Sequence, residues 1–217
     1  KWIVPIALGD SHRGYRVVGT SSEYFNRFRY RRNIPLRFSE GRKFSDLFDA
    51  VIGADVARKL NYKIGNQIVL AHGTGPVSIG KDHGDTPFQV SGILAPTGTP
   101  VDRAVHVSME AIEAIHVGWE TGSFTDQGEK NSPENLRKMD LSPKEVTAMY
   151  VGLKTKMSTF SLQRWINAYL HEPITAILPG VVFGQLWSMI GSVEKTLFIV
   201  SSMVVFTAIL GMIISIL

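Results

Sequence analysis

The chain of 217 residues contains no cysteine, which excludes disulfide bonds and thiolate metal sites. It also lacks the H-E-x-x-H motif of zinc peptidases and the G-x-S-x-G motif of serine hydrolases, so hydrolase chemistry has no anchor in the sequence. No basic segment followed by an apolar one opens the chain, and its first residue is lysine. We therefore expect a fragment of a longer protein rather than a natural start.

Charge is absent from the end of the chain. Residues 196–217 contain no charged side chain, no asparagine and no glutamine. A bilayer core of about 30 Å needs roughly 20 apolar residues in a helix. The alternative is a buried helix of a soluble protein, but soluble helices of this length usually keep a polar face. We predict that residues 196–217 span a membrane.

The sequence predicts that the membrane helix begins before the span, at residue 179. Apolar residues recur there at a spacing near 3.5, which is typical of a helix packed on another helix: Val182, Leu186, Met189, Ile190 and Val193. A helix over 179–217 would be roughly 58 Å long, about twice what a bilayer core needs. We predict a rigid stalk that leaves the membrane and transmits force.

Positive charge is concentrated in one segment. The net charge is +4, and seven basic residues lie between positions 27 and 43. The aromatic residues Phe25, Phe28 and Tyr30 in this region favour the core stripe of a helix rather than a surface that stacks on bases. We expect no nucleic-acid binding; the segment favours a basic face near anionic lipid or an acidic partner.

Hydrophobic periodicity and turn residues predict a mixed α+β fold. Strands are predicted at residues 16–19, 50–52, 67–71, 88–94, 104–107, 146–154 and 174–178. Helices are predicted at residues 21–30, 54–60, 109–116 and 159–170, with a turn at 38–44 and polar loops at 72–87 and 118–142. The last two strands and the helix between them predict a β-α-β unit.

A segment resembling a nucleotide-binding loop does not fit that role. Residues 75–82 read GPVSIGKD, but Asp82 stands where the motif needs a hydroxyl for Mg²⁺. The glycine and proline that follow prevent the helix whose N-terminus would hold phosphate. We expect this chain to bind no ATP itself.

The same loop holds candidate metal ligands. Imidazole and carboxylate groups suit zinc, and four of them lie close in the sequence: His72, Asp82, His83 and Asp85. Their spacing matches no known ligand pattern, so a solvated polar loop is the alternative. The other histidines, His12, His106, His116 and His171, are scattered and predicted to be structural or on the surface.

Several segments follow one another in an order that is also found in a known protein family: RVVGTSSEYF at 16–25, EGR at 40–42, VIGADVARKL at 51–60, FQVSGIL at 88–94 and VEKT at 193–196. In this order, with the apolar helix at the end, the chain resembles MacB-type and FtsX-like ABC transporter permeases. The resemblance covers nearly all residues and corresponds to the periplasmic core domain with the second membrane span.

This resemblance implies a porter-type part at residues 1–19 and 142–178, with a β-rich lobe inserted at 20–141 and a stalk and span at 179–217. It implies a permease dimer in the bacterial inner membrane, a cytoplasmic ATPase subunit that binds the ATP, and a periplasmic adaptor, lipoprotein or substrate-binding partner. Some such permeases are associated with metal uptake, so zinc is a candidate substrate.

The function expected from the resemblance is that of a non-catalytic permease subunit in an ATP-driven mechanotransmission machine, so the resemblance implies that this chain is not an enzyme. The alternative is an FtsX-like regulator that switches a periplasmic cell-wall hydrolase. The long loop at 72–87 and the polar insert after residue 118 depart from efflux-pump permeases, and we expect specificity for the partner or substrate there.

Overall fold

A computed structural model of the chain describes residues 2–72, 87–117 and 132–216. It divides into two compact units, Lys1–Gly152 and Leu153–Leu217. The predicted mixed α+β fold is confirmed in the first unit, where strands and short helices alternate. The predicted division of the chain into a porter-type part and an inserted β-rich lobe stays a prediction.

The described part of the first unit contains these strands: β1 (Trp2–His12), β2 (Tyr15–Thr20), β3 (Arg29–Tyr30), β4 (Ile34–Pro35), β5 (Phe38–Gly41), β6 (Asp49–Ile52), β7 (Gln67–Ile68), β8 (Ala71–His72), β9 (Phe88–Leu94), β10 (Ala104–Ser108) and β11 (Ala148–Gly152). Its helices are α1 (Glu23–Arg27), α2 (Ala54–Leu60), α3 (Met109–His116) and α4 (Pro133–Leu136), with a 3₁₀ turn at Pro100–Arg103.

Among the described residues, nine of these strands form one mixed sheet. Its order is β11-β1-β2-β10-β6-β9-β5, with β7 paired to β9 and β8 paired to β1. The pairs β2–β10 and β6–β9 are parallel, and the other neighbours are antiparallel. Strands β3 and β4 form a separate hairpin.

The sheet is buried on both faces, as strand β6 shows. Ala50 and Ile52 pack into one apolar cluster with residues of α2 and α3, whereas Val51 packs into a second cluster with residues of α1. Successive side chains of a strand point to opposite faces, so the two clusters lie on opposite sides of the sheet. This explains why β6 is apolar at Ala50, Val51 and Ile52 rather than alternating.

Strand β1 was not predicted from the sequence, although it is the longest strand described. Pro5 and the polar run Asp10, Ser11 and His12 obscure its pattern, yet all three polar residues are buried. A two-residue turn joins β1 to β2, and both of its residues, Arg13 and Gly14, have the positive φ that such hairpins require.

Three local predictions need correction in the first unit. The helix predicted at 21–30 stops at Arg27, because the next residues form the β3–β4 hairpin. The turn predicted at 38–44 contains strand β5, which pairs with β9 around Gly41 at φ 71°. The strand predicted at 67–71 is divided between β7 and β8, which pair with different strands.

The polar loop predicted at 118–142 is described only from residue 132. There Ser132 caps the short helix α4 by accepting a hydrogen bond from the Asn135 amide. Leu136 is 1% exposed within the first apolar cluster. This end of the segment therefore belongs to the packed domain.

The second unit contains two helices in its described part, α5 (Ser158–Asn167) and α6 (Pro179–Ile216). The strand predicted at 174–178 is wrong, and with it the β-α-β unit. Ala176 instead donates its amide to Asn167 Oδ1 at 2.7 Å and accepts from Gln163 Nε2 at 3.2 Å. The side chains of α5 thus satisfy backbone groups that a strand would pair with a neighbour.

Candidate functional site

The proposed zinc ligands fall largely outside the described residues. Asp82, His83 and Asp85 are not among them, and the same holds for the loop at 75–82. For His72 the structure gives the backbone, which pairs with Asp10 at the end of β8. Among the residues that the structure does describe, no group of three or more His, Asp or Glu side chains could hold a metal. The zinc site stays a prediction.

A cleft of about 460 Å³ opens in the first unit. Pro87 and Pro133 lie in its wall, one directly after residues 73–86 and the other close behind residues 118–131. The two segments singled out in the sequence for partner or substrate specificity therefore rejoin the described fold at the same cleft. Its other lining residues are Arg42, Asp46, Phe48, Asp49, Gln67, Gln89 and Arg137.

One wall of the cleft is built around Arg137, which follows the buried Leu136. Its Nη2 and Nε donate to the two carboxylate oxygens of Asp46 at 2.9 and 3.2 Å, and its guanidinium lies 5.1 Å from the ring centre of Phe48. Hydrogen bonding from Arg137 lowers the pKa of the Asp46 carboxyl group. This geometry fixes Arg137 as a planar donor at the edge of the cleft.

A second ion pair joins Arg42 to Asp49 at 2.8 Å. Asp49 is buried and also accepts from the backbone amides of Ser45 and Asp46 at 3.0 and 3.1 Å, while Arg42 Nη1 further contacts Ser45 Oγ. These bonds fold residues 45–49 into the tight turn that presents Asp46 to Arg137.

The cleft therefore combines two arginines and two carboxylates that are already paired. Because its pKa is lowered, the Asp46 carboxylate is a weak proton acceptor, which makes the cleft better suited to polar recognition than to general-base catalysis. Sequence reasoning missed this site, since Asp46 and Arg137 lie 91 positions apart and no motif connects them.

Two buried histidines, His12 and His106, make contacts that stabilise the fold. His12 donates through Nδ1 to the Val69 carbonyl at 2.7 Å and accepts through Nε2 from the Tyr62 hydroxyl at 3.0 Å. His106 lies 1% exposed against the rings of Tyr24 and Phe25. Burial lowers the pKa of both, that of His106 to about 4.

Besides the cleft, helix α6 is the second candidate functional element, because it is long and apolar enough to cross a membrane. It is 38 residues long, has a mean hydropathy of 2.6 in its most apolar stretch, and buries none of that stretch within the protein. Four of its hydroxyl groups bond back to the helix, those of Ser192, Thr196, Ser202 and Thr207; Ser202 donates to the Phe198 carbonyl at 2.8 Å and Thr207 to the Val204 carbonyl at 2.9 Å. By length and composition the helix can cross a membrane without leaving these groups unsatisfied.

The profile of the MacB-like periplasmic core domain family matches residues 2–169, which is more than half of the chain. The match ends shortly before α6 begins. A search of curated proteins found no match. The chain therefore belongs to the MacB-like periplasmic core domain family, and with its apolar C-terminal helix it is part of a MacB/FtsX-type ABC transporter permease, a membrane protein with a periplasmic domain.

Proposed function

We propose that this chain is the periplasmic domain and following membrane helix of a permease subunit in an ATP-driven mechanotransmission transporter of the bacterial inner membrane. The observation that carries the proposal is the order of parts: a MacB-like periplasmic core domain over residues 2–169, followed by the continuous helix Pro179–Ile216.

The length of α6 supports a coupling role. At 1.5 Å per residue, its 38 residues extend about 57 Å, whereas a bilayer core takes about 30 Å. Glu194 and Lys195 are the last charged residues of the chain, and the uncharged stretch of α6 begins directly after them. The first half of α6 is thus free to act as a stalk that moves the periplasmic domain when the membrane half moves.

Such a machine needs partners that this chain does not supply. We propose a cytoplasmic ATPase subunit that binds and hydrolyses ATP, a second permease copy, and a periplasmic adaptor, lipoprotein or substrate-binding protein. The cleft near Pro87 and Pro133 is where we place specificity for the periplasmic partner or substrate, because the loop after residue 72 and the polar insert after residue 118 both rejoin the described fold there.

The test is purification of the tagged full-length permease from its native membrane, with an unrelated inner-membrane protein carrying the same tag as control. We expect a nucleotide-binding ATPase to co-purify in near-equal amount with the permease and not with the control. Absence of any ATPase under gentle solubilisation would contradict the proposal. A cell-wall hydrolase co-purifying with the ATPase would instead favour the regulator role.

Zinc handling is a separate proposal, supported by the two histidines and two aspartates of the loop. Calorimetric titration of zinc should give a saturable heat that the His72→Ala/His83→Ala pair loses and the His171→Ala control keeps. Equal heats for the wild type and the pair would end the metal hypothesis, and the transporter assignment would stand.

A further inference from the structure

The positive charge of the domain is concentrated on the β3–β4 hairpin and its flanks. Residues 27–43 contain seven basic residues and one acidic residue, Glu40, whereas the net charge of the whole chain is only +4. The rest of the chain is therefore slightly acidic. Six of the seven basic residues are arginines.

Local contacts neutralise only some of these arginines. Arg27 pairs with Glu23 at 2.9 Å and Arg42 with Asp49 at 2.8 Å. Arg29 donates to the backbone carbonyls of Asn26 and Phe28, which carry no net charge.

Three exposed arginines have no carboxylate within 4 Å among the residues that the structure describes: Arg31, Arg32 and Arg37. Together with Arg29 they form a surface, here called the arginine hairpin, whose four guanidinium groups pair with no carboxylate in the described ranges 2–72, 87–117 and 132–216.

The hairpin has a well-defined backbone and an apolar support. Arg29 pairs with Pro35 and Tyr30 with Ile34, and the turn residues Arg31 and Asn33 have φ of 48° and 73°. Beneath it, Phe28 and Tyr30 pack against the second apolar cluster, in which Leu36 is 8% exposed. The guanidinium groups are therefore presented from a supported strand pair, which lowers the entropy lost on binding.

The residue types distinguish between two kinds of anionic partner. Attraction to anionic lipid is about equal for lysine and arginine, and stable attachment of a surface segment also needs apolar side chains that enter the bilayer. The turn of the hairpin consists of the polar residues Arg31, Arg32 and Asn33, and the exposed Ile34 and Pro35 beside it are too small an apolar surface to anchor a segment in a bilayer. Arginine, in contrast, is favoured where carboxylates are bound through two parallel hydrogen bonds and where proteins meet.

We propose that the arginine hairpin docks an acidic, extended segment of a partner protein through paired guanidinium–carboxylate contacts. The exposed Ile34, at 37%, and Pro35 lie beside the arginines and add a small apolar contact of the kind found in protein interfaces. This inference does not depend on the transport activity proposed above, because it concerns recognition by the first unit alone.

The experiment uses the full chain in phosphatidylcholine nanodiscs and a fluorescent glutamate peptide of about ten residues, with anisotropy measured at low and high salt. We expect binding that salt weakens. The Arg31→Gln/Arg32→Gln/Arg37→Gln variant should bind about tenfold more weakly, because three exposed charge pairs are lost. A matched variant that removes three exposed lysines of the same unit, Lys59→Gln/Lys63→Gln/Lys138→Gln, should bind nearly as well as the wild type.

Two further measurements distinguish carboxylate docking from general attraction. Replacing the same three arginines by lysine keeps the charge and should still weaken peptide binding about threefold, because the paired hydrogen bonds are lost. Trypsin cleavage of the wild-type chain after Arg31, Arg32 and Arg37 should be slowed by the glutamate peptide and not by phosphatidylglycerol in the nanodiscs, because the peptide and not the lipid covers the hairpin. Unfolding midpoints should also be equal, since the three arginines are exposed.

Three outcomes would overturn the inference. Equal peptide affinity for the wild type and the glutamine variant would show that the hairpin is not the docking surface. Peptide affinity of the lysine variant equal to that of the wild type would show that paired guanidinium–carboxylate hydrogen bonds do not contribute to binding. Slower cleavage at these arginines in phosphatidylglycerol-containing nanodiscs, with no protection by the peptide, would assign the surface to the membrane instead.

Discussion

Gly53, at the start of α2, allows two parts of the fold to approach closely. Its φ of −71° is open to any residue, so backbone strain does not explain the glycine. A methyl group at this position would meet the backbone carbonyls of Val101 and Asp102, which cannot move aside as a flexible side chain could.

We expect Gly53→Ala to lower the free energy of unfolding by about 1–3 kcal/mol, the usual cost of overpacking. Gly9→Ala is the matched control, because an added methyl group there meets no atom within 4 Å. Denaturant unfolding of both variants measures the difference. Equal stability of the two variants would show that the contact with residues 101 and 102 relaxes without cost.

His106 makes stability depend on pH. Its Nδ1 bonds to the Val51 carbonyl at 3.3 Å, but its Nε2 has no hydrogen-bond partner among the described residues. The pKa is about 4 in the folded protein against an ordinary value of 6.5. Between these values the unfolded chain takes up a proton that the folded chain does not, so stability is full above pH 6.5 and falls as the pH decreases toward 4.

The predicted loss is at most about 3 kcal/mol, from a pKa difference of about 2.5 units. His106→Phe should remove most of this pH dependence, leaving the smaller contribution of His12. Tyr24→Phe keeps the histidine and should keep the slope. Chemical unfolding at a series of pH values between 4 and 7 measures both, and an unchanged slope in His106→Phe would contradict the assignment.

At the scale of elements, sequence reasoning succeeded where the signal is local. The helix at 109–116 was predicted from the Ser108 cap, and Ser108 Oγ accepts from the Ala111 amide at 3.0 Å. The helix at 54–60 has the predicted bounds. Caps and short amphipathic patterns depend on neighbours within one turn, which the sequence itself specifies.

Prediction from the sequence failed where contacts between residues that are separated along the chain determine the local structure. The stretch at 174–178 has the apolar character of a strand, but Gln163 and Asn167 occupy the backbone groups of Ala176. The cleft needs Asp46 and Arg137 together, and only the folded sheet brings these positions near each other. Neither arrangement leaves a periodic or motif signal in one sequence.

Two glycines of α6 offer a direct test of how the helix meets a bilayer. An added Cβ meets no atom at Gly184 or at Gly211, so a cysteine is tolerated at either position. In membranes, a membrane-impermeant maleimide should label Gly184→Cys and leave Gly211→Cys unlabelled, and detergent denaturation should make both reactive. Equal labelling of the two before denaturation would exclude the predicted span at 196–217.

At the scale of the whole molecule, a MacB-like periplasmic domain and a membrane-length helix occur in one chain. The family was recognisable from the order of weak segments, because these segments correspond to real elements: β2, the end of β5, α2, β9 and the middle of α6. The partner and the substrate were not recognisable, since no motif in the sequence specifies the surface chemistry that would select them.

The proposed machine makes a definite statement about motion: ATP bound by a partner subunit must displace the stalk half of α6. This follows if the helix is continuous, because a continuous helix transmits a displacement along its length better than a linker would. The structure supports this requirement, since Pro179–Ile216 is one uninterrupted helix.

The most direct measurement is the distance between spin labels on Gly184→Cys in the two permease copies of the full-length complex with its ATPase, in nanodiscs. We expect trapped ATP to shift this distance by about 5 Å or more, the scale of a one-turn displacement of one element past another, and ADP to reverse the shift. An identical distance distribution in both nucleotide states, in a complex that still hydrolyses ATP, would contradict it.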